Sequence, residues 1–163
     1  MPSNFEQELP RAASRKLQLV QAGQNQFGIF AEQISAIVEW QEPAPLPHAP
    51  SSVLGVVSIQ GRMLTVLDLA KLAGDEAVLT NTPRKLLIAL RGDEQLALAI
   101  EALGEIVQLA GNELMTDSIT ERETVTTPLL GVWQRADAEI KILDLNRLFP
   151  AAIQGRERRQ RRF

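Results

Sequence analysis

Apolar and polar positions alternate with a period of two along much of this chain, the mark of strands that bury one face. Leu17, Leu19 and Gln21 alternate with Gln18, Val20 and Ala22, and the run stops at Gly23-Gln24-Asn25. A second pair of runs, 86–90 and 95–100, flanks Arg91-Gly92-Asp93-Glu94. Glycine with Asn or Asp supplies the positive φ of a tight hairpin, so both places read as strand–turn–strand. Residues 55–59 and 62–69 form another apolar pair around Gln60-Gly61, and 140–145 reads as a last strand. Short strands with a turn every dozen or so residues predict small barrels or a sandwich. Helix is expected to be minor. Residues 31–37 and 100–107 have apolar residues at helical spacing, but Gly104 and β-branched residues argue against more than a short turn of helix, or none, before a strand. Residues 70–72 and 146–148 follow Asp68 and Asp144 at capping distance, so each predicts a brief helical turn. The stretch QEPAPLPHAP, 41–50, has four prolines and predicts a stiff, extended connection rather than a regular element.

The pattern repeats. At an offset of 69, Lys16-Leu17-Gln18-Leu19-Val20 meets Lys85-Leu86-Leu87-Ile88-Ala89, Gly23 meets Gly92, Gln26 meets Gln95, and Ile37-Val38 meets Ile106-Val107. No gap is needed there. At an offset of 76, Gly55-Val56 meets Gly131-Val132, and Val66-Leu67-Asp68-Leu69 meets Ile142-Leu143-Asp144-Leu145. Glycine and polar positions match as well as apolar ones. The chain therefore reads as two diverged copies of one unit, 16–73 and 85–149, joined by 74–84.

Length and composition sharpen this picture. The 163 residues suit one domain or two small intertwined halves, and 45% apolar content supports a packed core. There is no Cys, which excludes disulfides, thiolate metal sites and thiol nucleophiles, and the single His48 makes a zinc site a poor expectation. Met1 to Lys16 contains no apolar run of the signal-peptide kind, and no stretch approaches the ~18 apolar residues of a membrane span, so a cytoplasmic chain is expected. Net charge is −3, unevenly placed: residues 156–163 hold five Arg and one Glu, leaving an acidic body of about −7. That tail has one Phe and no other aromatic, a thin signal for nucleic acid, which the acidic body would repel; no nucleic-acid partner is expected.

Candidate chemistry is sparse. Asp68 and Asp144 occupy equivalent places in separate copies, so they are expected to bind local backbone rather than converge as an acid/base pair. Gly55, Gly61 and Gly131 lack the spacing of a phosphate loop. His48 lies in the proline-rich loop without an orienting carboxylate at helical spacing. The expectation is a protein without catalytic residues, cofactor or metal, working through partly exposed apolar patches.

Three segments carry a family resemblance. GVVSIQGRMLTVLDLAKLAG (55–74) resembles the Gly-Val strand, turn and hydrophobic-Asp-Leu strand of CheW-like domains; FGIFAEQISAIVE (27–39) and LLGVWQRADAEIKILDLNRLF (129–149) are similar to its upstream and final segments. The resemblance covers about 15–150, leaving 1–14 and 151–163 as flexible tails. It implies an all-β fold of two small five-stranded SH3-like barrels related by a pseudo-twofold, with little helix. It also implies an adaptor that couples the cytoplasmic tip of methyl-accepting chemoreceptors to the regulatory domain of the histidine kinase CheA. Such a protein would be recruited from the cytoplasm to membrane-associated receptor arrays, without inserting in the membrane. An accessory scaffold of a type IV pilus or other non-flagellar chemosensory pathway is the alternative. The receptor surface implied by resemblance comprises Ile34, Ala36, Ile37 and Val38, with Val57, Ile59, Gln60 and Arg62 around the turn. Three positions depart from the family pattern: Gln60 stands for the usual Arg, Ala36 for a common Glu, and Thr65 for the usual Pro.

Overall fold

The computed structural model describes residues 14–72, 84–110 and 129–148. The connection at 74–83 and both tails, including the Arg-rich one, lie outside the described residues. The strands are β1 (Ser14–Ala22), β2 (Asn25–Phe30), β3 (Ile34–Glu39), β4 (Val53–Ile59), β5 (Arg62–Asp68), β6 (Leu86–Leu90), β7 (Leu96–Ile100), β8 (Ala102–Ala110), β9 (Leu129–Arg135) and β10 (Ala138–Leu143). Among the described residues, helix is confined to a 3₁₀ turn at Ala31–Gln33, α1 (Leu69–Leu72) and a 3₁₀ turn at Leu145–Arg147. The helical spacing in 100–107 yields no helix: Ile100 ends β7, Glu101 is a bend, and β8 follows from Ala102.

Two five-stranded sheets result, ordered β8-β1-β2-β10-β9 and β3-β6-β7-β5-β4. Advancing each strand number by five, and wrapping past ten, turns one order into the other, which is the pseudo-twofold in topological form. In both sheets the central pair is parallel, Val66 beside Ala97 in one and Ile142 beside Gly28 in the other. Gly55 pairs with Val66 as Gly131 pairs with Ile142, and each ladder then bulges by one residue, at Leu54 and at Leu130. A bulge preserved in both copies is a feature of the unit rather than a defect.

The sheets are out of phase with the repeat. The first copy supplies β1 and β2 to one sheet and β3 to β5 to the other; the second copy does the reverse. One sheet is therefore built from the unbroken stretch β3 to β7, and the other is interrupted by it. The gapless alignment of the first strands also needs correction. Val38 pairs with Leu87 as Val107 pairs with Leu17, so Leu17 corresponds to Leu87, not Leu86. The second hairpin is one residue shorter than the first, and a one-residue slip exchanges the faces of a strand.

Face by face, the alternation generates three cores. Leu17, Leu19, Phe30, Leu109, Trp133, Ile140 and Ile142 fill the interior of the first sheet. Val57, Ile59, Leu64, Val66, Leu87, Ala89, Ala97 and Ala99 fill that of the second, with Ala36 and Val38 packed against them. Each interior draws on both ends of its own sheet, so each sheet curls around its core as a barrel. The opposite faces of β2, β6 and β7 meet in a shared central core that includes Phe27, Ile29, Leu67, Ile88, Leu98 and Ile100. That core joins the two barrels into one body.

Candidate functional site

The eight residues singled out in the sequence lie on β3 and on the β4–β5 hairpin, all in the second barrel. Strand period decides their fates. Val57 and Ile59 point inward; they are 5% and 3% exposed, and neither can touch a partner directly. Their expected place at a contact surface is corrected here: apolar residues two apart on a strand share a face, and this face is the barrel interior. Ala36 and Val38 are half-buried against the same interior. Ile34 is half-buried against the central core, beyond the β3 bulge. Ile37 lies between these inward positions and is 37% exposed.

At the hairpin, Gln60 and Gly61 adopt φ of 52° and 79°, while Ile59 pairs with Arg62. Two consecutive positive-φ residues closing a two-residue loop suit the right-handed twist of the flanking strands. Gln60 is exposed at this tip. Arg62 is half-buried, and its Nη2 lies 3.5 Å from the carbonyl oxygen of Gly92 on the neighbouring hairpin. Its guanidinium thus leans across the barrel end and does not occupy the place of a side chain at position 60. The structure keeps Ile37, Gln60 and part of Arg62 available to solvent.

Other exposed apolar residues were not singled out in the sequence. Met63, 59% exposed, lies beside Ser58 next to the hairpin tip. Ile106 on β8 is 58% exposed, and Leu103 precedes it on the same strand. Ile106 is the repeat counterpart of Ile37, so the signal was present in the alignment. Met63 left none, because an apolar residue in a strand pattern reads as core.

Nothing in the described residues gathers reactive groups. Asp68 is buried and takes Arg84 Nε and Nη2 on one oxygen, at 3.1 and 2.5 Å. Asp144 instead accepts the Asn146 backbone N–H at 3.1 Å, capping the last 3₁₀ turn. Asp144 thus holds local backbone as expected, whereas Asp68 corrects that expectation by holding the side chain of Arg84, and the two form no pair of the catalytic kind. His48 is exposed in the loop at φ 61°. A small cleft of about 100 Å³ lies between Gln33, Arg91, Glu94, Gln95, Leu145 and Asn146. Among the described residues no cluster of His, Asp or Glu suits a metal ion, and no helix is long and apolar enough to cross a membrane.

Comparison with known proteins agrees with this geometry. A family model, the CheW-like domain, matches residues 16–152. The chain is 22% identical over 137 residues to the chemotaxis protein CheW of Rhizobium meliloti (strain 1021), covering 84% of this chain and 88% of that one. It is 21% identical over 122 residues to the chemotaxis protein CheW of Bacillus subtilis (strain 168), covering 74% and 78%. Among solved structures, the scaffolding protein TtCheW from Thermoanaerobacter tengcongensis superposes with a TM-score of 0.69 at 20% identity, covering 83% of this chain and 92% of that one. At that identity the last likeness speaks for the fold.

Proposed function

The chain belongs to the CheW-like domain family, and from that premise we propose that it is a scaffold of chemosensory signalling that links chemoreceptor tips to the regulatory domain of a CheA-type kinase. The observation that carries this reading is the family match across both barrels, in a body whose central core locks the two together. Two barrels held in one orientation present separate surfaces at a set distance and angle. A partner on each is then kept at high effective concentration relative to the other. Receptor state reaches the kinase only by favouring one arrangement of these contacts over another, so no bond needs to be made or broken in this chain. The receptor-facing surface in this reading is Ile37 on β3 with Gln60 and Arg62 at the hairpin. The protein works in the cytoplasm, on membrane-associated arrays.

The test is capture by an immobilised CheA regulatory domain and by a receptor cytoplasmic tip, each with folded full-length chain. Capture by both is expected; capture by neither overturns the reading. Gln60→Arg probes the departure at the hairpin. Neither Gln nor Arg is favoured at φ 52°, so the substitution changes chemistry more than backbone strain. A charge-assisted hydrogen bond to a receptor carboxylate should tighten binding by about tenfold. Unchanged affinity would remove Gln60 from the receptor surface.

A further inference from the structure

Among the described residues the two sheets end in four edge strands, β8 and β9 in one and β3 and β4 in the other. An edge strand offers free backbone N–H and C=O groups to any passing strand, and charged side chains are a common deterrent. β3 carries Glu39, β8 carries Glu105 and β9 carries Arg135. Glu105 and Arg135 further pair with each other at 2.9 Å across the opening of their barrel. β4 is Val-Leu-Gly-Val-Val-Ser-Ile, with no charge and no proline. Uncharged, β-branched segments of this kind pair readily with copies of themselves.

Among the described residues, β4 is also the edge with a cover. Ala44, in the proline-rich stretch 41–50, makes an isolated antiparallel bridge to Val56: its N–H donates to the Val56 carbonyl at 2.9 Å and its carbonyl accepts the Val56 N–H at 2.8 Å. Two features shape this contact. Pro43 and Pro45 flank Ala44 and have no N–H, so the stretch cannot extend its bridge into a ladder. Gly55, at φ 144°, has no side chain where one would overlap the Ala44 carbonyl oxygen and sit 2.9 Å from Pro43 Cβ. Pro43 is buried there. The chain thus brings a non-propagating strand mimic to the one edge strand that lacks a charge.

We propose that the proline-rich strap is an internal guard of the β4 edge, and that releasing it lets β4 of one copy pair with β4 of a second copy. Two identical edges meeting antiparallel about a twofold axis bring no like charges together, because β4 has none.

Ala44→Pro in the full chain removes the donor N–H without altering β4. Hydrogen exchange at the Val56 amide should then quicken by about fivefold to tenfold, the ratio set by one net hydrogen bond. Light scattering should show growth from the monomer to the dimer, and no further, as concentration rises. Ser58→Lys, at an exposed β4 position, places a charge on the uncovered edge; in the double variant fast exchange should persist and self-association should vanish. Unchanged exchange in Ala44→Pro overturns the strap's role. Fast exchange in a chain that remains monomeric overturns the guarding role. Self-association indifferent to Ser58→Lys overturns β4 as the contact. Should Ala44→Pro fail to fold, Pro45→Gly loosens the strap outside the bridge, and the same two measurements decide.

Discussion

At the scale of single residues, the buried ion pair and one glycine are the points where small changes should be felt most. The Asp68 carboxylate is almost wholly buried, while the Arg84 guanidinium keeps partial access to water. The pair is therefore asymmetric: removing the arginine strands a buried charge, whereas removing the carboxylate leaves a cation that water can reach. Arg84→Ala should cost about 3 kcal/mol by denaturant unfolding, and adding Asp68→Asn should recover part of that loss. A double variant no more stable than Arg84→Ala would show that the pair is not what the arginine holds. Gly28 is the interior residue of β2 between Phe27 and Ile29, and a Cβ there would lie 2.6 Å from Leu17 Cδ2 and 3.0 Å from Ile142 Cδ1. Its counterpart beside Val66 is Ala97, in a barrel lined by Ala89 and Ala99 rather than Leu19 and Phe30. Gly28→Ala should cost about 1–3 kcal/mol through overpacking. Leu17→Val in the same chain should then be less harmful than in the parent, a coupling that a double-mutant cycle reads directly. Simple additivity would place the strain elsewhere.

At the scale of elements, the bulge where β8 meets β1 is held by a side chain rather than by the ladder. The buried Gln18 amide donates to the carbonyls of Leu19 and Gly104, at 3.0 and 2.9 Å. Both carbonyls lie where the β1–β8 register shifts, between Gln18 and Val20. An amide in an otherwise apolar strand position reads from sequence as solvent-facing; here it satisfies backbone that the bulge takes out of the ladder. Gln18→Leu should cost about 1–3 kcal/mol, the penalty of buried carbonyls left without donors. Amide exchange should quicken at 103–106 and leave β6 and β7 unaffected. Uniform acceleration across both sheets would mean that Gln18 supports the whole body and not this bulge. The hairpin at Gln60-Gly61 was legible as a turn, and the structure adds its positive-φ geometry. The single bridge at Ala44 was not legible, because a tract with four prolines gives no strand signal until β4 lies alongside it.

At the scale of the whole molecule, the consequence of the out-of-phase sheets is cooperativity. Each barrel contains strands from both copies, and the central core takes residues from β1, β2, β5, β6, β7, β9 and β10. Leu98 is fully buried in that core. Leu98→Ala should destabilise the chain by about 2–5 kcal/mol. It should also leave one unfolding transition, detected at the same denaturant concentration by Trp133 in the first barrel and Trp40 in the second. Two separated transitions would show that the barrels are independent and that scaffold geometry is not maintained by the shared core.

The sequence alone determined the period-two strands, their turns, the doubling of the unit and the family, because each of these is written in local order and spacing. The candidate surface it singled out falls on β3 and the β4–β5 hairpin, and that surface remains part of the proposal. Which side of a strand faces water is a different kind of fact. Val57 and Ile59 look no different from Ile37 along the chain, yet the first two line a barrel and the third meets solvent. The exchange of strands between copies and the strap over β4 depend on contacts between residues far apart in the chain. Only closure of the two barrels around a common apolar core selected them, since many pairings satisfy local alternation but few bury every apolar face at once.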